Sequence, residues 1–279
     1  LILAMVLSAL VIIIWTVMLP PTPITEQTAT DGSETSQAQS VPSATAAGTT
    51  TSATPETETA PVAVDAGEVT ITTPSLDGAI SLAGGRINQL ALKNYDETLD
   101  GDDEVTILSP IGTARPYYAL FGWAHGDALT AEDVPNADTI WSVESGGELT
   151  PETAVTLRWN SPSGLIFRRT IEVDDRFLFT INQTVENPTE TERMLAPFGL
   201  IARHGEPQDL SGFFIIHEGA MRRTDGELEE SNYNDMPDLR DDDSWGINAS
   251  VEQAQESGWV GFTDHYWMTS LIPEQGKAF

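Results

Sequence analysis

The chain has 279 residues, with 43 acidic side chains against 13 basic ones and a formal charge of -30. That balance excludes a nucleic-acid binder, which neutralises phosphates with clustered Lys and Arg, and a protein held on anionic lipid by basic charge. The absence of cysteine excludes disulfides and thiolate metal sites.

Residues 1–19 read LILAMVLSALVIIIWTVML and carry no charged side chain. At ~1.5 Å per residue, such a helix nearly spans the ~30 Å hydrocarbon core of a bilayer. Ser8 and Thr16 can return their hydroxyls to the helix's own carbonyls, and a helix satisfies its backbone without water. A cleaved signal peptide would have a shorter apolar core and small residues at its end, which Met18, Leu19, Pro20 and Pro21 do not supply. The expectation is an uncleaved transmembrane anchor over 1–19, in contact with the lipid bilayer. No Lys or Arg follows it until Arg86, so no positive charge holds the downstream side in the cytoplasm. A basic flank before Leu1 is expected, with the larger part of the protein outside the inner membrane.

From 20 to 67 the composition changes to Thr, Ser, Ala, Pro, Gln and Glu, without an aromatic or basic residue. Such a segment cannot bury enough apolar surface to offset its ordering entropy. It is expected to be a disordered acidic linker that gives the next domain reach. A glycosylated stalk has a similar composition.

Residues 68–279 are expected to form one β domain. Val69 and Ile71 alternate with Thr70 and Thr72, Asp77-Gly78 signals a turn, and Gly84-Gly85 punctuates before the next strand over 87–92. The clearest passage begins where Val155, Leu157 and Trp159 share one face. A turn follows at 161–164, then Phe167, Ile171 and Val173 point one way. Asp174-Asp175 turns again, Phe177, Phe179 and Ile181 alternate with Leu178, Thr180 and Asn182, and Asn187-Pro188 closes the strand. Period two with turns at this spacing predicts an antiparallel meander with one buried face. No long helical repeat interrupts it, so the fold class is all-β and the architecture a large antiparallel sandwich.

The residues that could carry chemistry form no motif. Residues 96–107 (DETLDGDDEVTI) half-resemble a calcium loop, with Asp96, Thr98, Asp100 and Gly101 in register, but Ile107 stands where a bidentate Glu is required. A solvated acidic loop is the expectation there, and a charged loop over 238–243 (DLRDDD). His125, His204, His217 and His265 lack metal-site spacing. His217 and Glu218 are adjacent and would face opposite sides of a strand. No catalytic, cofactor-binding or metal-ligating residue is assigned, and no cofactor is expected. Two aromatic groups stand out: Tyr117, Tyr118, Phe121 and Trp123, and then Trp259, Phe262, Tyr266 and Trp267. Core packing is the expected role, because aromatics dominate burial in sandwiches; a groove for sugar or extended peptide is the alternative.

Residues 257–273 (SGWVGFTDHYWMTSLIP) resemble the G-W-x-x-x-x-x-x-Y-[FW]-x-T-x-x-[IL]-P segment of the periplasmic domain of YidC-type membrane protein insertases. Residues 82–85 (LAGG) with 87–95 resemble that domain's early strand pair, 163–187 its central hairpins, and 197–199 (PFG) a short strand after them. Anchor, polar acidic tether and β domain follow one another as in the Gram-negative members.

The resemblance implies a β-supersandwich of the sugar-mutarotase type within a protein that inserts and folds inner-membrane proteins, alone or beside the Sec translocon. Nascent inner-membrane proteins and translocon components would be its partners. The implied location is the bacterial inner membrane, with the β domain in the periplasm as an accessory or partner-binding module and not an enzyme. In the family, insertion is attributed to later helices that form a hydrated groove with a basic residue. Such a groove lowers the cost of passing charge through lipid. The sandwich is expected to be incomplete at its C-terminal side, and extension by further strands to raise its stability. The rival reading is a membrane-tethered carbohydrate-binding or carbohydrate-epimerising sandwich, which would need carboxylates and a His converging on one pocket.

Overall fold

The computed structural model describes residues 65–99, 101–207, 210, 217–239, 241–242 and 247–279. The expected anchor over 1–19 lies outside them, as does the expected linker up to residue 64. Among the described residues no helix is long and apolar enough to cross a membrane, and helical structure is limited to two 3-10 segments, Ala131–Asp133 and Tyr233–Asp238.

Alternating apolar residues build the strands. The first group is β1 (Glu68–Thr72), β2 (Leu76–Ser81), β3 (Arg86–Asp96), β4 (Glu104–Leu108) and β5 (Tyr117–His125). Shorter pieces follow, β6 (Ser142–Ser145) and β7 (Glu148–Leu149), before the meander of β8 (Val155–Asn160), β9 (Ile166–Val173) and β10 (Phe179–Glu186). Then come β11 (Leu195–Arg203), β12 (Gly219–Thr224), β13 (Glu227–Asn232), β14 (Asp241–Asp242), β15 (Ile247–Asn248), β16 (Gly258–Asp264) and β17 (Trp267–Leu271).

Three main sheets result. The first runs β11-β5-β3-β2-β1-β7, with β4 also paired to β3; the second runs β10-β9-β8-β6 and the third β13-β12-β16-β17. Pairing is antiparallel except between β1 and the two-residue β7. Ile71, Ile80, Leu157, Phe167 and Ile171 are fully buried where the first two sheets face each other. Phe262, Trp267 and Leu271 bring the third sheet onto the same core. The all-β sandwich read from the sequence is therefore the fold.

Two details differ from the expectation. The strand placed across Phe177 begins at Phe179, because the Asp174 carboxylate accepts the backbone N–H groups of Arg176 and Leu178, both at 2.9 Å, and so prolongs the turn. Asp241–Asp242, expected in a loop, form a short ladder with Ile247–Asn248.

Arg169 stands in the middle of the apolar face of β9 and is completely buried. Its Nη1 donates to the carbonyls of Gly84 (3.2 Å) and Gly85 (2.7 Å), and its Nη2 to that of Phe121. The guanidinium carbon lies 4.6 Å from the centre of the Trp141 ring. Burial pushes the group down to about 9 from its usual 12.5. The sheets are thus pinned together by a desolvated cation that borrows carbonyls from the β2–β3 turn and from β5. Gly85 has φ +60°, and a Cβ there would stand 2.6 Å from Arg169 Nη1, so only glycine admits the side chain this close.

Candidate functional site

An apolar groove of about 1390 Å³ opens where the three sheets converge. That exceeds the ~300–1,000 Å³ of an ordinary small-molecule pocket and suits an extended chain. Leu90 and Leu92 of β3 and Phe121 of β5 line it, opposite Phe179 and Ile181 of β10. Phe198 of β11 and Trp267 and Leu271 of β17 line it as well. Tyr95 and Trp267 meet edge to face along it, their ring centres 4.9 Å apart.

Among the described residues, each of β10, β11 and β17 is the terminal strand of its sheet, and all three border the groove. Gly199 of β11 packs so closely on the third sheet that a Cβ there would be 3.0 Å from Leu271 Cδ2.

Beside the groove a polar seam joins the first and third sheets. Arg203 Nη1 on β11 is 2.5 Å from Asp264 Oδ2 on β16, and the Tyr233 hydroxyl donates to Asp264 Oδ1 at 2.9 Å. The Arg203 guanidinium also lies 4.4 Å from the Tyr117 ring centre and 5.4 Å from that of Tyr233. The Tyr117 hydroxyl pairs with that of Thr269 on β17. Burial pushes Tyr117 up to about 12, and burial first of all raises Tyr233. Every charge in this seam has a partner, so its chemistry is cohesion between sheets.

The four histidines do not converge. His125 contacts the Gly126 carbonyl, and His204 stacks on Tyr118 at 5.8 Å. His217 Nδ1 pairs with the Thr263 hydroxyl at 2.8 Å, while His265 Nδ1 stands 3.6 Å from Glu218 Oε1. The His265–Glu218 pair links residues far apart in sequence, but neither residue lines the groove. Aromatic burial follows the core reading for Tyr117, Tyr118 and Phe121. Trp259 and Trp267 line the groove, and Tyr266 projects into solvent.

Comparison with known proteins gives a concordant picture. The family model described as YidC periplasmic domain matches residues 68–279. Over the whole chain, a protein named membrane protein insertase YidC from Jannaschia sp. is 46% identical across 287 aligned residues, and the chain covers 46% of that protein's length. Its namesakes from Dinoroseobacter shibae and Roseobacter denitrificans are 48% and 45% identical, again over the whole chain, which covers 47% of each. The chain therefore spans less than half the length of these relatives.

Proposed function

The chain belongs to the YidC periplasmic domain family, and from that premise we propose that it is the N-terminal part of a membrane protein insertase. In this reading, residues 1–19 anchor the protein in the inner membrane and 20–67 tether a β domain that stands in the periplasm. The whole protein inserts and folds inner-membrane proteins, alone or with the Sec translocon. The β domain is an accessory or partner-binding module and not a catalyst.

The observation that carries this reading is identity of 45–48% over the whole chain to proteins named as insertases. The sequence of 1–19 supports it, since a charge-free run of that length suits a bilayer. The seam around Arg203 supports a non-catalytic role, because its charged and hydroxyl groups bind one another.

The test is a chimera in which this chain replaces the matching N-terminal part of the Dinoroseobacter shibae protein, expressed in cells depleted of their own insertase. The reading expects restored insertion of a client inner-membrane protein, scored by protease access to its exported loop. A chimera that accumulates in the membrane yet restores no insertion would contradict it.

A further inference from the structure

The hairpin of β16 and β17 closes in a strained way. Asp264 pairs with Trp267, so the connection is two residues, His265 and Tyr266. Twist-matched turns of that length need a positive φ, and among the described non-glycine residues only Asp225 has one. The turn therefore splays its strands, and local opening of the hairpin starts at this end. The ladder between β12 and β16 also stops here, at the pair of Gly219 and Thr263. Beyond it, side chains join the two segments.

Those side chains are His265 and Glu218. Glu218, the residue before β12, is 7% exposed, and its backbone carbonyl accepts the N–H of Tyr233 at 3.3 Å. The His265 Nδ1 atom is buried, makes no hydrogen bond among the described residues, and stands 3.6 Å from Glu218 Oε1. That is just beyond hydrogen-bond distance. The ring is set edge to face against Tyr266, with centres 3.9 Å apart. The other charged and titratable groups around it are engaged. Asp264 holds Arg203 of β11 and the Tyr233 hydroxyl, and His217 Nδ1 pairs with the Thr263 hydroxyl at 2.8 Å. Glu218 is thus the carboxylate that a proton on His265 engages.

We propose that His265 and Glu218 form a pH-operated latch on the β16–β17 turn. Taking a proton from solvent, His265 draws its Nδ1–H onto the Glu218 carboxylate in a charge-assisted bond and fastens the turn to the segment entering β12. Neutral His265 leaves the splayed turn without that tie. Trp267, the residue that follows the turn, meets Tyr95 of β3 edge to face at 4.9 Å. The latch therefore governs how firmly the third sheet grips the first at this end. Imidazole ordinarily changes charge near pH ~6.5, so the grip tightens in mild acid and relaxes as pH rises past that value. The proposal stands on this geometry and not on the insertion role.

The test is amide hydrogen exchange of the 279-residue chain in detergent micelles. Rates are taken at pH ~5.5 and ~8 and divided by the intrinsic rate at each pH; carboxylates ordinarily stay ionised at both. Protection of the Asp264 and Trp267 amides should be ~5-fold higher at the lower pH, while amides of β8 and β9 show no such rise. His265→Gln should abolish the rise. His265→Lys, charged at both pH values, should hold the higher protection throughout. Glu218→Gln should also flatten the response. If that buried substitution prevents folding, the two variants at position 265 carry the test, since the His265 side chain is 30% exposed. Equal protection at the two pH values in the parent chain would overturn the proposal. So would a rise that survives in His265→Gln, or one shared equally by β8 and β9.

Discussion

Arg203 and Asp264 belong to different sheets and meet at 2.5 Å, with the rings of Tyr117 and Tyr233 on the guanidinium. The seam binds the first sheet to the third at the rim of the groove. Its two tyrosines are buried, and burial disfavours their ionised forms.

Alkaline pH should therefore weaken the domain through these phenols. Tyr117 titrates near 10 when unfolded and is pushed up to about 12 when folded. Its contribution is complete below pH ~10 and is lost as pH rises towards ~12, amounting to about 2–3 kcal/mol. Arg169, pushed down to about 9 from 12.5, acts in the opposite sense over an overlapping range. Urea unfolding followed across this range separates the two, since Tyr117→Phe should remove the tyrosine part of the decline. An unchanged slope in that variant would show that Tyr117 does not carry it.

Removing the Arg169 side chain should be costly even though, among the described residues, no carboxylate pairs with it. Arg169→Met leaves the carbonyls of Gly84, Gly85 and Phe121 buried without donors, and the expected loss is about 2–4 kcal/mol. Arg169→Lys should not restore it, because an ammonium cannot reach several carbonyls with a planar fork. Denaturant midpoints of the two variants provide the check.

Asp225 holds the turn between β12 and β13 with φ 48°, unusual for a residue with a side chain. Its Oδ2 accepts the N–H of Gln255 (2.7 Å) and its Oδ1 those of Glu256 and Ser257 (both 2.9 Å). These backbone bonds hold the carboxyl below its usual value of 3.8. The stability it lends is present above pH ~3.8 and is lost as pH falls through the lower folded value. Melting temperature should fall in the order Asp225, Asp225→Asn, Asp225→Ala. Asn tolerates the backbone and keeps one acceptor, whereas Ala does neither. Asp225→Ala melting with the parent protein would refute this.

Sugars should not bind. The His265–Glu218 pair is the feature nearest to what a carbohydrate-epimerising site requires, and it stands outside the lining of the groove. Calorimetric titration with a panel of monosaccharides should give only heats of dilution. Saturable heat with any of them would move the rival reading to the front.

The alternation that was legible in the sequence is the alternation that packs: Val155, Leu157, Phe167, Ile171 and Val173 all lie in the core. The same period places Arg169 on that face between Phe167 and Ile171, so the signal for a buried arginine was present and its polarity masked it. Phe177 broke the pattern because a side chain, Asp174, replaced the ladder as hydrogen-bond acceptor. The seam and the groove were not legible. Arg203 finds Asp264, and Ala254 finds Phe279, only once three sheets are stacked. Such pairings depend on register between distant strands, which local periodicity does not encode.

The most direct measurement is the nucleotide sequence of the locus beyond the codon for Phe279. The account predicts an open reading frame that continues into several long apolar spans, one of them containing a basic residue. A stop codon shortly after Phe279 would contradict it, because a protein with one anchor cannot build an insertion groove.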